Sequence, residues 1–489
     1  MSVRRRLAAV LVGALLVTGC APTINPATGV AERTLLSPAE EARLGSAEHP
    51  KILAQFGGVY DDPRVTRYVT DLGNRIVAVS ELANQPFTFT VLDTPLPNAF
   101  ALPGGYIYLT RGLLALAGDE AEVAGVLAHE VGHVTARHAA QRYDRQVQGQ
   151  IGATLATVLG AVLLGESGAQ LGQQAGGAAA MAYVQGFSRE QEFEADQLGV
   201  RYLARAGYDP LAMASFLERL AAEDRLRRQR AGRDPEAPGF SMYATHPRTV
   251  DRVARAAAAA DGDGGRRAPE PFLEVVEGLR YGDDPAEGLV RDGQFIHPDL
   301  RFAWPVPSGL AVTNRPEAVY GRDGDGLQMI FARHRMRAGT DLVTAARTAL
   351  GEGVVLAQGQ LREVDGRPAA LASGPVEVGG RSGEAAVALV THGDGQVYRF
   401  VFVRPGGFRP ADRQRILATL DGFRTLGPGE AARYPMRRIA VVTVGGGDTV
   451  ASLAARMAVE DFPEETFRVL NGLEPSEAVR PGQRVKLVR

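Results

Sequence analysis

Residues 127–133 have the sequence LAHEVGH, late in a segment with helical periodicity. On a helix, two histidines four residues apart point the same way, so the imidazoles of His129 and His133 can bind one Zn²⁺. Glu130 lies between them, beside that metal position. The stretch therefore predicts a helix that carries two zinc ligands and a neighbouring carboxylate.

The start of this helix is marked by Asp119, an expected N-cap residue, with Glu122 three positions later as its capping-box partner. A second face of the same helix is apolar, so it can bury a stripe in the core while its histidines face a cleft. That apolar face consists of Val123, Leu127, Val131 and Val134.

A second stretch, SREQEFEAD at residues 188–196, supplies what a catalytic zinc site still lacks. Such a site uses three protein ligands and keeps one open position. On a helix, Glu192 can be the third ligand. Asp196 follows one turn later on the same face and can accept the far N–H of a ligating histidine, which orients that ring. The first stretch by itself has the HExxH pattern of zinc peptidases, and the second follows it with the glutamate that such a site needs.

HEVGH followed by SREQEFEAD resembles the gluzincin metalloproteases of the CAAX prenyl protease and HtpX family, most closely their soluble periplasmic, BepA-like branch. The segment NAFALPGGYIYLTRGLL at residues 98–114 shares this resemblance. So do Thr-His-Pro at residues 245–247 and Arg252 downstream. The likeness covers roughly residues 36–258. It implies a mainly helical zincin domain with a small sheet.

The resemblance implies a role for five residues of the two stretches. One Zn²⁺ per chain is bound by His129, His133 and Glu192, and Glu130 is the general base of peptide-bond hydrolysis. Asp196 supports the site from behind a ligand.

His246 is a further candidate, because Thr-His-Pro recurs after the third ligand in the family that the chain resembles. Its imidazole can hydrogen-bond the developing oxyanion, donate to the substrate backbone, or occupy the open zinc position and silence the enzyme. A helix-capping or surface histidine is the alternative, and the sequence leaves it open.

Two other zinc classes are excluded by spacing. A metzincin needs glycine three residues after His133 and histidine six residues after it, where this chain has Ala136 and Ala139. His138 is out of register and is expected on the helix surface. An endopeptidase of the LAS type needs an H-x-H pair, which none of the eight histidines supplies.

Composition limits the classes of partner. The chain has 489 residues, 45% of them hydrophobic and 22% charged, and this length is typical of about three globular domains. A formal net charge of −2 gives no global field that would attract a polyanion, so no nucleic-acid partner is expected.

The first residues resemble a bacterial lipoprotein signal. Arginines at 4–6 precede an apolar run at 7–17 that is too short to span a bilayer, and LVTGC at 16–20 resembles a lipobox. Residues 1–19 are therefore expected to be removed and Cys20, the only cysteine, to be lipidated. The following alanine fits outer-membrane sorting. A plain cleaved signal peptide and an uncleaved anchor are the alternatives.

The predicted fold class is α+β, with three folded regions and two connections. The catalytic domain should include a strand at 106–110 that forms a sheet edge beside the zinc helix, where an extended substrate can pair. The predicted order is a tether at 20–36, the metalloprotease domain at 37–260, a linker at 261–270, an α+β sandwich at 271–430 that weakly resembles PsbP/Mog1-like domains, and a βααβ domain at 438–489.

The last region resembles a LysM domain, with Gly-Asp-Thr at 447–449 opening its first helix and Pro-Gly-Gln at 481–483 preceding its last strand. LysM modules often bind peptidoglycan, but some only pack against neighbours, so binding of glycan stays open.

The predicted function is that of a zinc endopeptidase, anchored to the outer membrane, that degrades misfolded or stalled periplasmic envelope proteins. Two alternatives remain: a non-proteolytic periplasmic chaperone or assembly scaffold that binds peptide in the cleft, and a cell-wall-binding lipoprotein with structural zinc. A glutamate beside the zinc position argues against structural zinc, because closed sites use a fourth Cys or His ligand.

Overall fold

The computed structural model describes residues 22–145, 187–230, 234, 264–315, 318–351, 353–378, 380–393 and 395–489. Two compact units are present within these residues. The first consists of Met1–Ala54, Gly58–Tyr281 and Arg438–Arg489, as far as these are described, and the second of Gln55–Gly57 and Gly282–Arg437. The fold is α+β, as predicted.

The first unit begins with an antiparallel hairpin of β1 (Pro22–Ile24) and β2 (Ala31–Arg33), followed by α1 (Pro38–Gln55) and α2 (Pro63–Val77). Helix α1 starts with a capping box: Ser37 Oγ accepts from the Glu40 N–H at 3.3 Å, and the Glu40 carboxylate accepts from the Ser37 N–H at 2.8 Å. Residues 22–36, predicted as part of a tether, pack through Asn25, whose side-chain amide donates to the Ala136 carbonyl at 3.2 Å.

A three-stranded sheet follows, formed by β3 (Thr88–Leu92), β4 (Ala99–Leu102) and β5 (Tyr106–Thr110) in the order β3-β5-β4. The prediction of an edge strand at 106–110 is wrong. A turn at 103–105 folds β4 back antiparallel to β5, and β3 pairs in parallel with its other side, so β5 is central. In the order β3-β5-β4, the strand at the edge next to β5 on the hairpin side is β4, since β4 and β5 form the antiparallel hairpin.

The described residues of this part of the unit continue with the helices α3 (Arg111–Leu116), α4 (Glu120–Thr135), α5 (Arg189–Arg205), α6 (Ala212–Arg230) and α7 (Pro269–Val276). Helix α4 carries HEVGH and packs against α2, α5 and α6. Its predicted apolar residues Val123, Leu127 and Val131 are fully buried in one core. The helix that carries HEVGH therefore lies within the core of the unit.

The N-cap of α4 is Asp119, as predicted, and its carboxylate accepts from the Glu122 N–H at 2.9 Å. The Glu122 carboxylate, however, accepts from the N–H of Gly118, one residue before the cap, at 2.7 Å. The predicted reciprocal capping box is therefore wrong in this half. Glu122 is fully buried and also binds Arg219 and Arg267, which pull its carboxylate away from the cap.

The second unit is a sandwich. Its elements are β6 (Leu289–Arg291), β7 (Gln294–His297), β8 (Phe302–Pro305), β9 (Ala311–Arg315), β10 (Ala318–Arg322), β11 (Gln328–His334), α8 (Leu342–Thr348), β12 (Gln358–Val364), β13 (Arg367–Val378), β14 (Arg381–His392), β15 (Gln396–Pro405), α9 (Pro410–Asp421), β16 (Arg424–Thr425) and α10 (Pro428–Ala431). Seven antiparallel strands form one sheet, β12-β13-β14-β15-β11-β10-β9, and β16-β8-β7-β6 form a second. Alternate residues Tyr398, Phe400 and Phe402 of β15 share one face, where they pack in the same core cluster as Trp304.

The chain then returns to the first unit with β17 (Ile439–Thr443), α11 (Val450–Ala454), α12 (Pro463–Asn471) and β18 (Arg484–Val488). This is the predicted βααβ order, and its apolar residues belong to the same core as α4. The ammonium group of Lys486 is buried and donates to three carbonyls at the end of α3, those of Ala115 (2.7 Å), Leu116 (3.3 Å) and Ala117 (2.6 Å).

Some predictions fall outside the described residues: the signal peptide with Cys20, His246, and the linker residues 261–263. Among the described residues, no helix combines the length and the hydrophobicity needed to cross a bilayer.

Candidate active site

The structure brings the three predicted zinc ligands together. The Nε2 atoms of His129 and His133 are 2.9 Å apart, and each lies 3.6 Å from a carboxylate oxygen of Glu192. All three side chains are buried, and they form a group of residues that could hold a metal ion. The two histidines come from α4 and the glutamate from the first turn of α5, as the sequence predicts.

Close packing of the two helices allows this approach. A Cβ atom at Gly132, between the two ligands of α4, would lie 3.1 Å from both the Ala195 carbonyl oxygen and the Leu198 Cβ of α5. A side chain at this position would require these atoms of α5, the helix that carries Glu192, to move by a few tenths of an ångström. Glycine in HEVGH therefore has a packing reason here.

Helix α5 is started by a complete capping box. Ser188 Oγ accepts from the Gln191 N–H at 3.3 Å, and the Gln191 side chain accepts from the Ser188 N–H at 3.2 Å. Glu192 follows directly in the first turn of α5, so the cap fixes the position of its backbone relative to the two histidines.

Asp196 lies where the sequence predicts it. Its Oδ1 is 2.9 Å from Nδ1 of His129, and both groups are buried. A histidine that binds metal through Nε2 carries its proton on Nδ1, the nitrogen that lies beside this carboxylate. The contact holds the ring and its tautomer in the form that ligates metal.

The donor set fits zinc. Two imidazole nitrogens and a carboxylate oxygen are ligands that zinc accepts, and bonds of about 2.0–2.1 Å in a tetrahedral site place two ligand atoms about 3.3 Å apart. The observed separations of 2.9 and 3.6 Å lie on either side of that distance. Only three protein ligands are present among the described residues, as in catalytic rather than structural zinc sites.

Glu130 is fully buried on α4, between the two histidine ligands in sequence. A carboxylate in this position is suited to a general base beside the metal.

The structure also shows residues that the sequence analysis missed. His138 was expected on the helix surface, but it is fully buried, with Nδ1 2.8 Å from Nδ1 of His133 and Nε2 3.1 Å from Oε2 of Glu194. Phe187 stacks on the His133 ring with 4.0 Å between ring centres. The sequence could have indicated this only through Ala-Arg-His at residues 136–138, directly after the helix. Arginine is not a residue that predicts a turn, so nothing in this stretch indicates that the chain bends at Arg137.

His246 lies outside the described residues. Its predicted roles at the oxyanion, at the substrate backbone or as a fourth ligand therefore remain predictions.

Fold and site together define a metallopeptidase centre of the HExxH type, with a glutamate from a second helix as third ligand. Residues 63–260 match the model of peptidase family M48. Over this region the chain is therefore similar to peptidase family M48, a family of zinc metalloproteases.

The chain is similar to several members of known name. A beta-barrel assembly-enhancing protease of Yersinia pestis is 35% identical over 48% of this chain and 47% of the relative. That of Escherichia coli K12 is 32% identical over 52% of each chain. The mitochondrial metalloendopeptidase OMA1 of Schizosaccharomyces pombe is 30% identical over 44% of this chain and 59% of the relative. The chain thus spans about half the length of the curated relatives it matches.

Proposed function

We propose that the chain is a zinc-dependent endopeptidase of the bacterial periplasm. The observation that carries this proposal is the buried His129–His133–Glu192 group, with Asp196 behind one ligand and Glu130 between the two histidines. Similarity to proteases of family M48 over residues 63–260 supports it.

The residues divide the chemistry among them. Bound zinc would supply Lewis-acid chemistry, which polarises the scissile carbonyl and makes water more acidic. Glu130 takes a proton from the attacking water and later passes one to the leaving amine. Asp196 keeps His129 oriented throughout.

The edge strand β4 is the place where we expect a polypeptide substrate to bind. It packs beside α4 in the first unit and, among the described residues, it pairs with β5 at one end of the sheet order. An extended peptide can add to the edge of a sheet by main-chain hydrogen bonds, which accept many sequences. Such recognition suits an enzyme whose substrates share an unfolded backbone rather than a motif.

For the location, we propose a lipid anchor at Cys20 that holds the enzyme at the outer membrane. Its support is the lipobox-like sequence at 16–20. The proposed substrates are misfolded or stalled envelope proteins, supported by the relatives named beta-barrel assembly-enhancing protease. Binding of peptidoglycan by residues 438–489 is a separate proposal, which rests on their resemblance to LysM domains.

The test compares the purified full-length chain with its Glu130→Gln variant in zinc content and casein cleavage. We expect zinc to be retained and cleavage to fall by about 10² to 10⁴, the usual range for a lost general base. Glu192→Ala should instead lower the zinc content. Cleavage at the wild-type rate by Glu130→Gln would refute the proposed mechanism, and would favour the alternative of a peptide-binding scaffold with a contaminating protease.

A further inference from the structure

A chain of side chains continues outward from the ligand His133. Its Nδ1 lies 2.8 Å from Nδ1 of His138, and Nε2 of His138 lies 3.1 Å from Oε2 of Glu194 on α5. His138 is fully buried, whereas the Glu194 side chain is 37% exposed. The chain therefore runs from the metal position through two buried rings to a carboxylate at the surface.

Metal binding fixes the direction of every hydrogen bond in this chain. Nε2 of His133 faces His129 and Glu192, so this nitrogen keeps its lone pair for the metal and Nδ1 carries the proton. His133 must then donate through Nδ1, and Nδ1 of His138 must accept. With its Nδ1 as acceptor, neutral His138 carries its proton on Nε2 and donates it to the Glu194 carboxylate.

The backbone is bent to place His138 there. Arg137, directly after the last turn of α4, has φ of 57°, in the left-handed region that residues other than glycine rarely adopt. Its guanidinium group is buried, bound to the Glu41 carboxylate and to the Leu36 carbonyl. These contacts hold the turn, which brings His138 back against His133 instead of continuing the helix away from it.

The ring of His133 is also contacted on its face by an aromatic side chain. Phe187, the residue before the cap of α5, stacks on the His133 ring at 21° between planes, and the Arg142 guanidinium lies 4.7 Å from the Phe187 ring centre. Stacking fixes the plane of the ring but not its rotation within that plane or its tautomer. A hydrogen bond to Nδ1 fixes both.

We propose that His138 is a positioning residue for the second zinc ligand. It holds His133 as the Nδ1–H tautomer with Nε2 aimed at the metal, and Glu194 holds His138 in turn. It is the counterpart of Asp196, which does the same for His129 in one step. The proposal rests on the proposed zinc centre and adds to it a set of supporting residues on the other ligand.

The test measures equilibrium zinc affinity of the full-length chain by competition with a chromophoric chelator, together with the melting temperature of the metal-free protein. We expect His138→Leu to weaken zinc binding about 10- to 100-fold, as loss of an outer hydrogen bond to a ligand typically does. His138→Asn should stay close to the wild type, because its carboxamide oxygen can accept the same Nδ1–H. A role in packing alone would lower the melting temperature of both variants and leave zinc affinity unchanged, which would overturn the proposal.

Glu194→Ala against Glu190→Ala forms a second, independent comparison, since Glu190 is an exposed carboxylate on the same helix. We expect weaker zinc binding only for Glu194→Ala, and this pair decides the matter if His138→Leu does not fold. Equal affinities in the pair would overturn the role of Glu194 in the chain. Wild-type protein that binds no zinc would instead refute the metal centre itself, an outcome that the wild-type measurement reports separately.

Discussion

The buried carboxylate of Glu122 stabilises the start of α4 through four contacts. It accepts hydrogen bonds from the Gly118 N–H (2.7 Å), the Ser215 hydroxyl (2.9 Å), and the guanidinium groups of Arg219 (3.1 Å) and Arg267 (3.3 Å). Burial by itself would raise the pKa of Glu122, but the two arginines and the Gly118 N–H outweigh it and hold the pKa below its usual value. The carboxylate is therefore charged in the folded protein at neutral pH.

The perturbation is Glu122→Gln, which keeps the size of the side chain and one acceptor oxygen but turns an NH₂ group toward two cations. Arg219 is only 11% exposed, so water cannot replace its lost partner, whereas Arg267 is 32% exposed and recovers part of the loss. Removing one partner of a buried ion pair costs about 3–5 kcal/mol, and partial hydration favours the lower value, about 3 kcal/mol. With an unfolding entropy of about 2.1 cal/mol/K per residue, this corresponds in a unit of this size to a melting temperature lower by about 4 °C.

The assay is thermal unfolding of both proteins between pH 7 and pH 3, with the exposed Glu274→Gln as control. Because the pKa of Glu122 is lower in the folded than in the unfolded state, its stabilisation is complete above the unfolded value of about 4.3 and is lost as the pH falls through the folded value. The gap between wild type and variant should therefore be widest at neutral pH and narrow in acid. An equal gap at both ends, or one no larger than that of the control, would refute the reasoning.

Three further predictions concern other parts of the chain. If the His246 imidazole donates to the oxyanion, His246→Ala should lower kcat about 10² to 10³-fold with zinc retained. If the imidazole instead silences the site as a fourth ligand, the variant should show higher basal casein cleavage. Unchanged cleavage would remove His246 from the site. Cys20→Ser should abolish incorporation of labelled palmitate and release the chain from the membrane fraction, and a variant still labelled would contradict the lipobox interpretation. Replacing residues 282–437 by a short Gly-Ser linker between Tyr281 and Arg438 should preserve zinc affinity, because these two positions adjoin main-chain hydrogen bonds within the first unit; loss of zinc binding in a folded product would contradict this.

Local signals were strongest where the chemistry depends on helical spacing. His129, His133 and Glu192 could be predicted because i, i+4 geometry and a short cap leave little freedom in where a side chain points. The capping box at Ser37 was predictable for the same reason. The central position of strand 106–110 was not, because which strands pair depends on a turn and on a distant segment rather than on alternation within the strand.

The role of His138 escaped prediction because a single backbone angle decides it. If the helix had continued through Arg137, the ring would point away from His133, and periodicity assumes this continuation. The left-handed turn is stabilised by Glu41, almost a hundred residues earlier, and no pattern within the motif records that contact. The absence of the expected hydrogen bond from the Asp119 N–H to Glu122 has a similar cause, since Arg219 and Arg267, which bind the Glu122 carboxylate, come from distant segments.

The interrupted order of the first unit has a consequence for its folding. Residues 438–489 are separated from the rest of this unit in sequence by the whole of the second unit, yet Ile439 exchanges main-chain hydrogen bonds with Gly278 and Leu279, and Lys486 binds the end of α3, the helix before α4. Until residues 438–489 dock, the carbonyls of Ala115 and Ala117 lack this partner, and part of the core around α4 is open to water. The core around the zinc-binding sequences is therefore completed only by the last segment of the chain, which makes that late contact a requirement for the proposed metal centre.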